Sequence, residues 1–280
     1  MITHSRRVSR GDVAGRLEGK VAVLTGVAGG QGREAALLFA RAGAVVVGCD
    51  INADGLSETR ELAREEGLSL DLHVVDATDA DGVQAWIDAA AERHGGIDVL
   101  YNNGSATRFA PFEDMDLDMW RESLRLELDV VYVPTRAVWP HLVARGGGSI
   151  INIASISGMV GSEVVDGIGQ AAHATGKSGI IGLTRQLAAE GAAHWIRVNT
   201  ISPGIIVTAA TESMLQHAPD LRRVFTGMPL LRRDGQPIDV VYTGVFLASD
   251  EAAFLTGVNI PVDGGLTARS GVSFHSGQSD

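Results

Sequence analysis

The chain has 280 residues, which is enough for one large α/β domain but too few for two such domains. Its formal net charge is −11, which argues against nucleic acid and anionic membranes as partners. A single cysteine excludes an intramolecular disulfide, and no Cys/His cluster with metal-ligand spacing occurs, so we predict no metal site. No signal-peptide core and no run of membrane-span length occurs, which predicts a cytoplasmic protein.

Apolar runs of strand length alternate with longer helical patterns along the chain. The predicted strands are 21–25, 45–49, 70–75, 99–102, 149–154, 197–201 and 258–262. The predicted helices are 31–42, 56–66, 82–93, about 119–144, about 170–191 and 238–248. Because the strands have the composition of buried strands and do not alternate, helices should cover both faces of the sheet. The pattern predicts an α/β protein with a single doubly wound, mostly parallel sheet, the Rossmann fold.

No repeat or low-complexity linker divides the chain. We expect one dinucleotide-binding and catalytic domain over residues 17–268, with an amino-terminal tail at 1–16 and a carboxyl-terminal tail at 269–280. Arginines 6, 7 and 10 leave a nucleic-acid arm as an alternative, but a short polar tail is more often simply disordered.

A glycine-rich loop, TGVAGGQG at residues 25–32, follows the first strand and opens the first helix. Glycine suits this place because the turn is tight, the backbone must approach a pyrophosphate, and the helix amino terminus must face its negative charge. We therefore predict a dinucleotide site. The loop residues predicted to contact the dinucleotide are Gly26, Gly30, Gln31 and Gly32.

Asp50 ends the second predicted strand. A carboxylate there accepts hydrogen bonds from both ribose hydroxyls and repels a 2′-phosphate. The alternative is a solvated acid at a strand end. No Arg or Lys directly follows Asp50, so NAD is favoured over NADP, and we include the neighbouring Ile51 in the cofactor site.

These motifs resemble those of the short-chain dehydrogenase/reductase family over about residues 17–267. Residues 76–77 resemble its adenine-contacting pair, and 102–105, Asn-Asn-Gly-Ser, resemble its Asn-Asn-Ala-Gly with a mild departure. Residues 201–208 resemble the segment that holds the nicotinamide carboxamide. The resemblance implies further cofactor contacts from Asp76, Ala77, Asn103, Gly104, Pro203, Gly204, Ile206 and Thr208.

The family works with a Ser, a Tyr and a Lys, supported by an Asn. By resemblance, Ser155 takes the serine position, and Lys177 takes the position of the lysine that tunes the acid/base residue and holds the nicotinamide ribose. At the tyrosine position the chain carries His173, and the alignment puts Glu127 where Asn is usual. The alternatives from the residues alone are a turn-capping Ser155 and a solvated Lys177.

Histidine in place of tyrosine changes the expected proton chemistry. His173 and Lys177 are four residues apart on a predicted helix, so they share one face. An imidazole beside an ammonium and an oxidised nicotinamide should be uncharged at neutral pH, which makes it a good base and a poor acid. This favours alcohol oxidation over ketone reduction. A carboxylate from Glu127 would oppose part of this effect, because it would stabilise the charged forms of His173 and Lys177.

Together these features predict an NAD-dependent oxidoreductase that interconverts a secondary alcohol and a ketone, with oxidation favoured. An apolar region at 209–228 suggests a partly apolar substrate, and the long interval from Ser155 to His173 implies a reshaped substrate loop at 163–166. A lyase or isomerase of the same fold and a noncatalytic NAD-binding protein remain alternatives. The resemblance also implies a homodimer or homotetramer built on the two long helices.

Overall fold

The computed structural model describes residues 13–162, 169–209, 211–212 and 226–269. The strands are β1 (Val21–Thr25), β2 (Val45–Asp50), β3 (Leu70–Val74), β4 (Val99–Asn102), β5 (Gly148–Ile153), β6 (Ile196–Pro203) and β7 (Asn259–Val262). The helices are α1 (Gly30–Arg41), α2 (Ala53–Glu65), α3 (Ala80–His94), α4 (Leu117–Leu124), α5 (Val130–Arg145), α6 (Ala171–Gly191) and α7 (Pro237–Ala248). The strands pair in the order β3-β2-β1-β4-β5-β6-β7, and every pairing is parallel. The predicted doubly wound parallel sheet is confirmed.

Helices cover both faces of the sheet, as β1 illustrates. Ala22 and Leu24 enter a buried cluster with residues of α1 and α7, whereas Val21 and Val23 enter a second cluster with residues of α3 and α5. Burial on both faces explains why a central strand such as β1 is almost entirely apolar. The strand order reverses between β1 and β4, which opens a crevice at the carboxyl ends of the strands, where such sheets bind ligands.

The helix predicted over about 119–144 is not continuous. It consists of α4 and α5, joined by a π-helical turn over Arg125–Asp129. The apolar pattern runs through both helices, so the periodicity alone does not mark the break. Pro134 lies in the first part of α5 and has no N–H to donate to the carbonyl group of Val130, so the regular helical ladder is incomplete next to the turn. Single π-turns often occur at functional sites.

The amino end of α2 also differs from the prediction. Helix α2 begins at Ala53 instead of residue 56, because the Asn52 side chain caps it by accepting a hydrogen bond from the N–H of Gly55 at 3.0 Å. An amide oxygen at this place satisfies a helix N–H that has no partner within the helix.

Several predicted segments lie outside the described residues. These are the substrate loop at 163–166, most of the apolar 209–228 region, and the terminal residues 1–12 and 270–280. Val13 and Leu17 are buried in the cluster with α1, so the described chain packs onto the sheet from its first residue. The domain boundary at 17 stays a prediction. In the part of the chain that is described, no helix has both the length and the apolar character needed to cross a membrane.

Candidate active site

The glycine loop wraps tightly around the start of α1. Gly26 has a φ of +72°, and a Cβ atom there would lie 2.7 Å from the Cα atom of Gly104. A Cβ atom at Gly32 would overlap the carbonyl oxygen of Gly26. Gly29 precedes α1 and offers no side-chain cap, so the first N–H groups of the helix remain available to an anion. Close backbone approach therefore requires glycine at positions 26 and 32.

The loop after β4 forms the second wall of the crevice. The side-chain amide of Asn103 donates to the carbonyl oxygen of Gly26 at 3.0 Å. The hydroxyl oxygen of Thr25 accepts from the backbone N–H groups of Asn103 and Gly104, both at 3.1 Å. These bonds fasten the ends of β1 and β4 to each other, so Asn103 and Gly104 lie where the sequence predicts them, beside the glycine loop.

A cavity of about 430 Å³ lies between these loops and the ends of β2 and β3. Asp50 stands in its wall and accepts from the N–H groups of Ala28 and Asn52, both at 3.0 Å. Hydrogen bonds from Thr78 hold the pKa of Asp76 below its usual range. The predicted cofactor residues that line this cavity are Gly26, Asp50, Ile51, Asp76, Ala77, Asn103 and Gly104.

The segment after β6 borders the other side of the glycine loop. A Cβ atom at Gly30 would lie 3.3 Å from a methyl carbon of Thr208. Pro203 ends β6, Gly204 follows it, and Ile206 is buried beyond them. The structure thus places Thr208 beside the loop, at the end of the predicted segment.

The crevice fits a nicotinamide dinucleotide. Its backbone cradle admits no Cβ atom at Gly26 or Gly32. The side-chain oxygen of Gln31 is buried and has no hydrogen-bond partner among the described residues. A buried acceptor without a partner is costly, so a bound group that carries N–H donors would relieve it.

Three of the four residues predicted for catalysis, Glu127, His173 and Lys177, converge where α6 passes the π-helical turn. One carboxylate oxygen of Glu127 lies 2.6 Å from Nδ1 of His173, and the other lies 2.8 Å from Nζ of Lys177. Glu127 is fully buried, whereas the His173 side chain keeps 16% exposure. The structure therefore brings all three side chains together.

Glu127 is ionised in this environment. Burial alone would raise its pKa, but the hydrogen bond from His173 and the charge of Lys177 outweigh burial and hold the pKa below its usual range. An ionised carboxylate only accepts hydrogen bonds, so the hydrogen of the 2.6 Å contact belongs to Nδ1 of His173. In the neutral imidazole, Nε2 then carries the free lone pair.

Sequence reasoning missed two residues of this site. The Ser105 hydroxyl donates to Glu127 at 2.8 Å and accepts from Nζ of Lys177 at 3.1 Å. A Cβ atom at Gly176 would lie 2.6 Å from that of Glu127, so this glycine makes room for the buried acid. The only sequence signal for Ser105 is its departure from the Asn-Asn-Ala-Gly pattern. We call Ser105, Glu127, His173 and Lys177 the charged cluster.

Ser155 follows β5 and caps a short turn by accepting a hydrogen bond from the N–H of Ser157 at 3.1 Å. The turn-capping alternative is thus observed, and it leaves the hydroxyl hydrogen of Ser155 available to a substrate oxygen. The ring of Phe109 packs edge-on against His173, with 5.7 Å between ring centres. Phe109 is half exposed, so an apolar surface flanks the imidazole.

The sheet order and the glycine crevice define a dinucleotide-binding α/β protein. A family model described as enoyl-(acyl carrier protein) reductase matches residues 26–267. The chain belongs to the short-chain dehydrogenase/reductase family, and its named relatives are oxidoreductases.

Three relatives illustrate the range of this similarity. The chain is 38% identical to the 3-oxoacyl-(acyl-carrier-protein) reductase FabG of Thermotoga maritima, over 90% of this chain and 99% of the relative. It is 37% identical to the trans-4-hydroxycyclohexanecarboxylate dehydrogenase of Sinomonas cyclohexanicum, over 91% and 96%. A solved 7α-hydroxysteroid dehydrogenase, complexed with NADH and 7-oxo glycochenodeoxycholic acid, superposes with a TM-score of 0.83 at 31% identity, over 91% of this chain and 96% of that one.

Proposed function

We propose that the protein is an NAD-dependent oxidoreductase that interconverts a secondary alcohol and a ketone, with oxidation favoured and His173 as the acid/base residue. The observation that carries the proposal is the 2.6 Å contact between Glu127 and Nδ1 of His173. It leaves Nε2 as the nitrogen that takes the alcohol proton. A buried carboxylate on the far side of the ring holds the tautomer and stabilises the imidazolium that forms, as the acid of a catalytic triad does.

We propose oxidation as the favoured direction because of the form of His173 that each direction needs. Oxidation needs an imidazole whose Nε2 lone pair is free to take the alcohol proton, and the contact of Nδ1 with Glu127 leaves that lone pair free. Reduction needs a proton on Nε2 instead.

The crevice residues are proposed to hold the cofactor. The glycine loop and the start of α1 would take the pyrophosphate, and Asp50 would take the adenosine ribose. We propose NAD because a second negative charge on a 2′-phosphate would face the Asp50 carboxylate. When bound, NAD supplies the acceptor for the substrate hydride.

The proposed substrate is a partly apolar, cyclic secondary alcohol. Ser155 would orient its oxygen, and the exposed face of Phe109 would pack against its ring beside His173. The relatives named for trans-4-hydroxycyclohexanecarboxylate and for a 7-hydroxysteroid support this class, because in each name the hydroxyl is on a saturated ring.

The test is formation of NADH from NAD with a panel of cyclic and linear secondary alcohols. We expect turnover, and we expect His173→Gln to lower kcat by about 100-fold or more, which is typical of removing a general base. The matched control is His141→Gln, because His141 pairs with Asp88 outside the crevice at 2.7 Å. Normal NAD binding with no turnover on any alcohol or ketone would instead indicate a binding protein. Unchanged turnover in His173→Gln would place the base elsewhere.

A further inference from the structure

Lys177 has a complete set of protein partners. Three oxygen atoms lie around its Nζ atom, from Glu127 at 2.8 Å, Ser105 at 3.1 Å and the Ile153 carbonyl group at 3.2 Å. An ammonium group has three N–H donors, so the protein alone supplies one acceptor for each. Lys177 is also only 3% exposed. A ribose hydroxyl would have to displace one of these partners to reach it.

Glu127, in turn, depends on Lys177. A fully buried carboxylate is very costly without a cation beside it. Among the described residues Lys177 is the lysine or arginine that forms an ion pair with Glu127; the neighbouring Arg125 pairs instead with Glu122 at 2.9 Å. Glu127 must stay ionised to keep the hydrogen of His173 on Nδ1. The state of the imidazole therefore depends on the ammonium group of Lys177 through Glu127.

We propose that Lys177 is a positioning residue in this chain: it is the fixed counter-ion of Glu127, through which it sets the tautomer of His173, and it is not a ligand of the cofactor ribose. The resemblance to the family implies the ribose role, and the replacement of the family's Asn by Glu127 gives the ammonium a different partner. This inference rests on the proposed function of His173 as the acid/base residue.

The experiment compares Lys177→Met with wild type in two measurements that need no turnover. The first is the Kd for NAD by titration calorimetry. The second is the tautomer of His173 in the free protein, by NMR of histidine labelled with ¹⁵N, with the signal assigned by its loss in His173→Gln. Lys20→Met is the control, because Lys20 pairs with the exposed Asp250 at 2.8 Å.

We expect Lys177→Met to change the Kd for NAD by less than about threefold, well below the tenfold that one lost binding contact of 1.4 kcal/mol would cause. Without its cation, Glu127 takes up a proton and donates it to Nδ1, so the hydrogen of His173 should move to Nε2. A tenfold or greater loss of NAD affinity, or an unchanged tautomer, would overturn the proposal. If Lys177→Met does not fold, the Kd for NAD is measured on a double variant that combines Lys177→Met with Glu127→Gln. The double variant leaves no buried charge unpaired. Both measurements remain valid if no alcohol is oxidised, so they separate this inference from the proposed function.

Discussion

The crevice and the charged cluster lie side by side at the carboxyl edge of the sheet, yet they depend on opposite kinds of residue. The crevice is made by the absence of side chains, since Gly26 and Gly32 let two backbone segments meet. The cluster is made by side chains whose charges satisfy one another inside the protein. Substitutions in the crevice should therefore be harmful because added atoms overlap the backbone. Substitutions in the cluster should be harmful because they leave a charged or polar partner unpaired.

The two regions also differ in how closely the resemblance implies that they follow the family pattern. By that resemblance the crevice keeps the glycines and the strand-end acid, whereas His173, Glu127 and Ser105 are expected departures. In the structure these three residues fit one another: the acid holds the imidazole, and the hydroxyl bonds to the acid. Gly176 provides the space that Glu127 occupies. Their mutual fit supports the proposal that the acid/base system is altered and still works, and argues against an active site that has lost its function.

The largest effect is expected from Gly32→Ala in the crevice. Its methyl group would overlap the carbonyl oxygen of Gly26, which the side-chain amide of Asn103 holds in place by a hydrogen bond. We expect the Kd for NAD to rise about 1,000-fold, equivalent to about 4 kcal/mol, measured by calorimetry. The control is Gly182→Ala in α6, where no atom lies within 4 Å of the added carbon. Equal behaviour of the two variants would contradict the crevice model.

The next effect is expected from Glu127→Gln in the cluster. The amide leaves Lys177 buried without a counter-ion, which should lower the free energy of unfolding by about 3 kcal/mol at pH 7. Because the pKa of Glu127 is lowered in the folded protein, its ionisation stabilises the fold above its unfolded pKa of 4.5, and this contribution is lost as the pH falls further. Wild type should therefore lose stability more steeply than the variant below about pH 5. Parallel pH profiles from urea unfolding would show that Glu127 is not ionised.

The same contrast explains what the sequence predicted and what it did not. The central strands such as β1 and β4 are buried on both faces, so their apolar runs identified them. The glycine loop predicted the crevice from its residue types and its place between a strand and a helix. The π-helical turn at 125–129 was missed because apolar periodicity continues through it. Ser105 was missed because its partners Glu127 and Lys177 lie 22 and 72 residues away in the sequence. The four-residue spacing within one helix predicts that His173 and Lys177 lie close together. It gives no information on how far either residue is from a serine in another loop.

A smaller effect is expected from Asp50→Asn at the edge of the crevice. The amide removes the charge that would repel a 2′-phosphate, while its oxygen still accepts one of the two backbone hydrogen bonds. We expect the ratio of NADP to NAD affinity to rise about tenfold, or about 1.4 kcal/mol. Asp54→Asn, at an exposed acid in the first turn of α2, serves as the control. If the ratio does not change, Asp50 stabilises the loop through its backbone hydrogen bonds and does not determine the choice between NAD and NADP.

The smallest effect is expected from Ser105→Ala, at the one residue that belongs to both regions. Ser105 lines the cavity and also bonds to Glu127 and Lys177. Losing one hydroxyl from a network that keeps its ion pair should cost about 1 kcal/mol of stability. The matched control is Ser178→Ala, whose hydroxyl donates to the Gly158 carbonyl group on the exposed side of α6. If Ser105 acts through the cluster, kcat should fall about fivefold, or about 1 kcal/mol, with the Kd for NAD unchanged. A change in Kd at constant kcat would assign Ser105 to the crevice instead, and the two regions would then not be coupled through it.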